Sequence, residues 1–443
     1  MAWKILVIFK KRGTKVILVL TLCLLVYTWL ESNVLDNEEP YIDLLREVKK
    51  EQALRTHASV VTQFYKGREE WTTSALGSWL FKYEDFAEHD QPQNKTFVIL
   101  VWKYWDWLKK RHLYNYQRKM RDPLDDCSVT NCIFTGEDDK LPTADAVVVH
   151  LQHGDIPKSK NRTRQQRWIF LNDEAPKNAF SLSKKNWKLK ELANVFNWSM
   201  TYRTDADIPV PYGRTVPVKD FKMNNLVVII PNWKKKRRDV PAAILISNCA
   251  VKYRMDFINE LQKYMPVDVY GGCSKNASTK TLCPGHFRSD CDPISEYLFY
   301  LVLENSNCRE YLTEKVWYHA YSKGAVPIIM GPSSSDCKKL LPPFSYIHVP
   351  IDISTNTMEM QNLAKQILSV AQEGNDDIFF ALHEWRQHFQ ALNEHGYFQT
   401  KSYHLCRICE ALNYNDAEEK IYNENDLKWF LDPTTLCESE QYK

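Results

Sequence analysis

A chain of 443 residues, 44% hydrophobic and 26% charged, is too long for one ordinary core and too apolar for disorder, so two globular domains are the prior. The formal net charge of +3 exerts no global pull toward nucleic acid. Aromatic residues make up 13% of the chain, with 14 Trp, which suits stacking on sugars but equally suits large cores.

The chain opens with a basic tail, residues 1–15, carrying Lys4, Lys10, Lys11, Arg12 and Lys15. It runs into Val16–Leu30, "VILVLTLCLLVYTWL", which has no charge. As a helix these residues span about 22 Å, short of the roughly 30 Å of a typical bilayer core. A cleaved signal peptide is the rival, but "WLESN" offers no small-x-small cleavage site. The reading is an uncleaved signal-anchor with the basic flank in the cytosol and the rest translocated, a single-pass type II arrangement. The short span suits the thinner membranes of the early secretory pathway.

Residues 31–90 are polar, with loose helical periodicity at Ile42, Leu45 and Val48, and read as a stem. A homodimer through this stem is allowed, although its heptads are poor. Asn94, Asn161, Asn197 and Asn276 open Asn-x-Ser/Thr sequons, candidate glycosylation sites in a lumenal body. Of twelve cysteines, eleven follow the apolar span. That odd number leaves at least one unpaired or bridged to another chain.

The body alternates apolar runs with helical or loop material. "KTFVILVW" (Lys95–Trp102), "ADAVVVHL" (Ala144–Leu151) and "RWIFLN" (Arg167–Asn172) read as strands of a parallel sheet. Lys234–Arg238, five consecutive basic residues, reads as a solvated linker and marks a boundary between an N-terminal α/β domain, 91–238, and a C-terminal one, 239–443. The alternation then restarts. "AAILISN" (Ala242–Asn248) is a strand, Arg254–Met265 an amphipathic helix, and "VDVYG" (Val267–Gly271) the next strand. "SEYLFYLVLEN" and "GAVPIIMG" follow as buried runs. Two doubly wound α/β domains result, with ligands expected at the carboxyl ends of strands in the crevice between them.

No Gly-x-Gly-x-x-Gly and no Walker loop is present. "TDAD" (Thr204–Asp207) has metal-bridging spacing, but its setting is turn-rich, so a capping role is favoured for Asp205 and Asp207. Phosphate, if bound, then falls to cations. Arg254 and Lys315 each sit near the start of a helix that follows a strand, where a pyrophosphate would sit. For a lone Arg or Lys the ordinary role is a solvated surface charge.

The stretch "LVLENSNCREYLTEKVW" (Leu301–Trp317) resembles the signature of the α1,3-fucosyltransferases, glycosyltransferase family 10. Glu304-Asn305-Ser306 and Tyr311-Leu312-Thr313-Glu314-Lys315 match with the same gap, and Glu310 replaces the usual Asp. "FLNDEAP" resembles the family's Leu-Asn-Phe/Leu-Glu-Ser-Pro, and "FNWSMTYRTDADIPVPYG" resembles its Tyr-Arg-x-Asp-Ser-Asp-Ile stretch. "KGAVPIIMGPSS", "EWR" (Glu384–Arg386), Cys406-Arg407-Ile408-Cys409 and "LKWF" (Leu427–Phe430) match further on, so the resemblance runs in order from about Lys95 to Phe430. Cys249 stands where the family often has an aromatic, and the spacing from there to Arg254 is about one residue shorter.

The resemblance implies two Rossmann-like domains facing across a cleft, of GT-B type. It also implies a Golgi membrane enzyme that transfers fucose from GDP-fucose with inversion. Glu174 would be the catalytic base, with Lys315 and Arg254 neutralising the leaving GDP. Tyr212, Ser247, Asn248, Asn305, Tyr311 and Glu314 would line the donor site. No cofactor is required and no metal site is implied; a divalent cation would be at most stimulatory. The acceptor would be O3 of a GlcNAc, either in a Lewis-type terminal chain, toward which the Cys-x-x-Cys tail and "EWR" lean, or in the N-glycan core. A catalytically silent Golgi glycan-binding membrane protein is the rival from another class. Cys127, Cys132, Cys406 and Cys409 would form a zinc set in the cytosol. In the lumen, two disulfides joining the pairs are favoured, returning the C-terminal segment to the first domain.

Overall fold

The apolar runs become the inner strands of two parallel sheets. The structure, a computed structural model, describes residues 56–82, 94–158, 162–285, 288–416 and 418–438. The tail, the 16–30 span, most of the stem and Asn161 lie outside the described residues. Among the described residues no helix is long and apolar enough to cross a membrane. Thr56–Lys443 form one compact unit that carries both sheets.

Two short helices come first, α1 (His57–Tyr65) and α2 (Ala75–Phe81), each begun by a side-chain cap, Thr56 and Ser74. They correct the stem, which is too long as read. Leu76, Leu80 and Phe81 are buried in the core of the first sheet, and Val61 joins the core around Tyr202 and Trp317. Arg68 fastens this segment to both halves, donating to the Phe81 carbonyl at 2.9 Å and to the Lys339 carbonyl at 2.6 Å.

The first sheet contains β1 (Phe97–Val101), β2 (Cys132–Thr135), β3 (Ala146–His150), β4 (Arg167–Asn172), β5 (Trp198–Thr201) and β6 (Ile208–Pro209), with α3 (Asp106–Tyr114) between the first two. Its order is β2-β1-β3-β4-β5-β6, all parallel. β3 and β4 are buried at every position, as strands covered on both faces must be. β7 (Gly213–Pro217) then leaves this sheet to pair later in the chain.

The second sheet contains β8 (Arg237–Leu245), β9 (Val267–Tyr270), β10 (Tyr297–Leu303), β11 (Val326–Met330) and β12 (Ile347–His348), in the order β12-β11-β10-β8-β9. α4 (Lys252–Leu261) follows β8, and α5 (Thr357–Ala371) follows β12. The order reverses between β8 and β10, so the crevice at their carboxyl ends is the topological switch point of this half. The basic run is not a linker. Lys236 places its ammonium among the carbonyls of Ser295, Tyr297 and Lys323 at 2.8–3.0 Å. Arg237 and Arg238 already belong to β8, paired with Asp239 and Asp376. The run leads into the start of an inner strand beside carbonyls and carboxylates, and the 238/239 boundary falls inside that strand.

The C-terminal segment returns to the first half. β13 (Phe389–Asn393) pairs antiparallel with β7. This ribbon passes so close to Trp317 that a Cβ on Gly213 would lie 2.5 Å from its ring and 2.3 Å from the Leu392 carbonyl. α6 (His404–Tyr414) buries Leu405, Ile408 and Leu412 against β1 and α2, and α7 (Glu424–Leu431) buries Leu427 and Phe430 beside Phe170. Disulfides Cys127–Cys406 and Cys132–Cys409 staple α6 to the first half, two bridges joining the two cysteine pairs as expected, in a connectivity the sequence left open. Cys249–Cys273, Cys283–Cys291 and Cys308–Cys437 are also bonded, and Cys337 is buried and unpaired. Asn94 and Asn276 are exposed. Asn197 is a correction: only 7% exposed, it accepts from the Trp168 N–H at 2.8 Å and donates to the Lys420 carbonyl at 2.7 Å. A carboxamide so occupied starts β5 and has no room for a glycan.

Glu394, at the end of β13, is the ionic counterpart of the staples. Arg214 grips it with two bonds of 2.8 Å and Arg407 of α6 adds one of 3.0 Å. Burial alone would raise its carboxyl, but the two guanidinium groups outweigh burial and hold it at about 2. A depressed carboxyl stabilises the fold above its unfolded value, about 4.3, and that contribution is lost as pH falls toward about 2. Glu394→Gln should therefore cost about 3–5 kcal/mol at neutral pH in urea melts, because buried arginine charge is left uncompensated. The variant should also show a shallower fall of stability with acid across that window.

Candidate active site

Two adjacent carboxylates follow β4. Asp173 is 4% exposed and accepts from Arg111 of α3. His150 Nε2 lies 3.6 Å from it, His395 Nε2 3.2 Å and His404 Nε2 3.4 Å. Ser402 bonds Nδ1 of His404 at 3.0 Å. Four nitrogens thus surround one carboxylate, which has room for about four donors. Burial would raise the Asp173 carboxyl, but Arg111 and the three histidines outweigh it and hold it well below the usual range. Burial also keeps His404 neutral, pushed down to about 3. The donor atoms of Asp173, His395 and His404 lie within 4.8 Å of one another, a spacing a metal could use. Arg111 already supplies the positive charge on the same Asp173 oxygen, so a cation there would be repelled.

Glu174 is placed differently. It is only partly buried, accepts from Asn178 at 3.1 Å, and takes the Tyr311 hydroxyl on its other oxygen. Burial raises its carboxyl, opposed by the Tyr311 hydroxyl and reinforced by the charge of Asp173. The two neighbouring carboxyls are driven in opposite directions: Asp173 is lowered by Arg111 and the imidazoles around it, and Glu174, with one donor on each oxygen, is raised by burial. The sequence offered no sign of Asp173's partners, since His150, His395, His404 and Arg111 come from four separate segments.

The donor-side residues gather at the switch point of the second sheet. Ser247 and Asn248 form the exposed loop after β8, which Cys249–Cys273 ties to the turn after β9; that bond accounts for a cysteine where an aromatic was expected. Ser247 Oγ accepts from the Gly272 N–H at 3.1 Å. Asn305 is half-buried, with its Oδ1 unpartnered. Lys315 opens a π-helical turn, Lys315–Ala320, a geometry frequent at functional sites. Its ammonium is fixed by Glu304 at 2.9 Å, Thr313 at 2.8 Å and Glu314 at 3.2 Å. Glu304 is fully buried and also accepts from the Thr313 N–H at 2.9 Å, so it anchors both ends of the turn. Burial would lower the Lys315 ammonium, but the two glutamates outweigh it and keep it charged.

Two expectations shift. Arg254 is 3% exposed, and its Nη groups reach the carbonyls of Asn248 at 2.6 Å and Leu303 at 3.3 Å. It bridges the ends of β8 and β10 with its Nη groups, while its Nε has no protein partner among the described residues. Tyr212 does not line the donor side either. Its hydroxyl donates to the Asp173 carbonyl at 2.9 Å and its ring stacks on His395 at 3.7 Å, so it packs against the carboxyl end of the first sheet. Asp205 pairs with Arg203 and Trp429, and Asp207 takes Ser199, Tyr422 and Lys420, which fits the turn and capping role.

Two family profiles match the chain: "Fucosyltransferase, N-terminal" over residues 94–213 and "Glycosyltransferase family 10 (fucosyltransferase) C-term" over residues 233–429. Rat alpha-(1,3)-fucosyltransferase 7 is 29% identical over 377 residues, 81% of this chain and 86% of the relative. A human 4-galactosyl-N-acetylglucosaminide 3-alpha-L-fucosyltransferase, FUT6, is 32% identical over 290 residues, 63% of this chain and 73% of the relative. A crystal structure of an alpha1,3-fucosyltransferase with GDP-fucose is similar at a TM-score of 0.42 and 16% identity, over 78% of this chain and 98% of that one. The chain belongs to glycosyltransferase family 10, the fucosyltransferases. It is a glycosyltransferase among relatives named as α1,3- and α1,4-fucosyltransferases.

If Asp173 is a saturated structural acceptor, Asp173→Asn should lower stability by about 3–5 kcal/mol in urea melts, since it strands the buried Arg111 charge. Glu174→Gln should melt like the parent. Loss of activity in Asp173→Asn without loss of stability would make Asp173 the reacting carboxylate.

Proposed function

We propose that this enzyme transfers L-fucose from GDP-fucose to O3 of a GlcNAc residue with inversion at the anomeric carbon. The observation that carries the reading is the half-buried Glu174 carboxylate, with one protein donor on each oxygen, within electrostatic reach of the clamped Lys315. Ionised Glu174 takes the proton of the acceptor hydroxyl as that oxygen attacks the anomeric carbon from the face opposite GDP. A carboxyl raised by burial is better matched to proton abstraction near neutral pH than an unshifted one. Lys315 meets the charge that grows on the departing pyrophosphate, in a fixed position that needs no reorganisation. Glu314, beside it, is placed to accept from ribose hydroxyls. A Lewis-type terminal acceptor is supported by the human relative, whose name specifies a 4-galactosyl-N-acetylglucosaminide.

The five disulfides among the described residues suit an oxidising lumen. They support a Golgi placement in which residues 16–30 anchor the chain and the body lies in the lumen. The exposed Asn94 and Asn276 are then available to carry glycans.

The test is a transfer assay with GDP-fucose across a glycan array. Glu174→Gln should lose about 10²–10⁴ in turnover while still binding GDP-fucose by calorimetry, and near-normal turnover would refute the base. Transfer should also continue in excess chelator, because Lys315 supplies the cation and Asp205 and Asp207 are held by protein donors. Complete loss restored by manganese would reassign the donor site.

A further inference from the structure

Glu310 and Tyr311, consecutive in the chain, both reach from the donor half to the strand ends of the first sheet. Glu310 accepts from the Thr204 N–H at 2.8 Å and the Thr204 hydroxyl at 3.1 Å, just beyond β5. Its own N–H points to Asp336 at 3.2 Å, and its φ of +58° puts a non-glycine residue in the left-handed region. Tyr311 donates its hydroxyl to Glu174, just beyond β4. Its ring is 1% exposed and held edge-on by Tyr202 at 5.0 Å and Tyr212 at 6.2 Å. Two residues later, Thr313 is bound to Glu304, and Lys315 follows. One short turn therefore presents the cation to the donor side and a hydroxyl to the carboxylate of the opposite half.

We propose that Tyr311 is a positioning residue for Glu174, and that the turn 310–315 couples the setting of the base to the donor site. This rests on Glu174 being the base. Each Glu174 oxygen holds one protein donor, Tyr311 from the donor half and Asn178 from its own loop. The remaining lone pairs are then aimed by two fixed bonds, and one of those bonds exists only while the two halves are apposed. The other groups that act on Glu174 are the Asp173 charge behind it and Lys315 across the cleft, with the Tyr202 and Tyr212 hydroxyls in the same wall. A hydroxyl that donates to a carboxylate favours its ionised form, so deleting it moves the titration of the base to higher pH.

Tyr311→Phe keeps the ring and its contacts with Tyr202 and Tyr212. The expected result is a fall in kcat of about ten- to a hundredfold. The acid limb of the kcat/KM profile should move to higher pH, with calorimetric affinity for GDP unchanged. Weakened GDP binding with an unmoved acid limb would overturn the proposal and make Tyr311 a donor-lining residue. Parental kinetics at every pH would overturn it too. Glu174→Gln, measured alongside, separates the two readings. If that variant turns over normally the base itself is misassigned; if it is inactive while Tyr311→Phe keeps the parental acid limb, only the positioning role fails.

Discussion

The site depends on the Arg111–Asp173 ion pair. Two adjacent carboxylates at the end of one strand cannot both remain ionised in a buried setting without compensation. Arg111, with His395 and His404 beside it, compensates the Asp173 charge, and the neighbouring Glu174 carboxyl is raised by burial. The division of labour between Asp173 and Glu174 is thus a matter of which donors the fold brings to each. Chemistry alone would have favoured neither.

Those donors arrive through the return of the C-terminal segment. His395 and His404 lie on either side of the step from β13 to α6, far from Asp173 in sequence. They reach it because two disulfides fix α6 against the first sheet and Glu394 holds the ribbon to α6 through Arg214 and Arg407. Covalent and ionic fastening act on the same segment as the apolar contacts of Leu405, Ile408 and Leu412, and together they hold His395 and His404 within 3.4 Å of Asp173.

On the donor side the constraint is the reversal of strand order between β8 and β10. Loops after these strands diverge and open a crevice, and Arg254 spans its floor by reaching a carbonyl on each. Glu304, at the end of β10, then orients Lys315 by a direct bond and through Thr313. A lysine has a flexible four-carbon stem. Three acceptors around its ammonium restrict that freedom before any substrate arrives, so less ordering remains at the moment of binding.

Much of this was legible in the sequence where the determinant is local. Continuous apolar runs located β1, β3, β4, β10 and β11 because strands covered on both faces have no polar alternation to hide. The Glu304–Lys315 turn was readable as a unit, since its partners lie within eleven residues of one another. The short strands β5, β6 and β12 were not, being too brief to carry a period, nor was the setting of the basic run at Lys234–Arg238, since the carbonyls around Lys236 and the Asp376 partner of Arg238 are remote. What the sequence determined by itself is therefore the α/β class, the family and the motif residues Glu174, Glu304 and Lys315. Only the tertiary structure decided that Asp173 meets Arg111, that Tyr212 stacks on His395, that Arg254 ties the ends of β8 and β10, and that Tyr311 crosses to the opposite half. Those outcomes are set by contacts between remote segments, such as Asp173 with His404, and local spacing carries no information about which distant donor a buried carboxylate will meet.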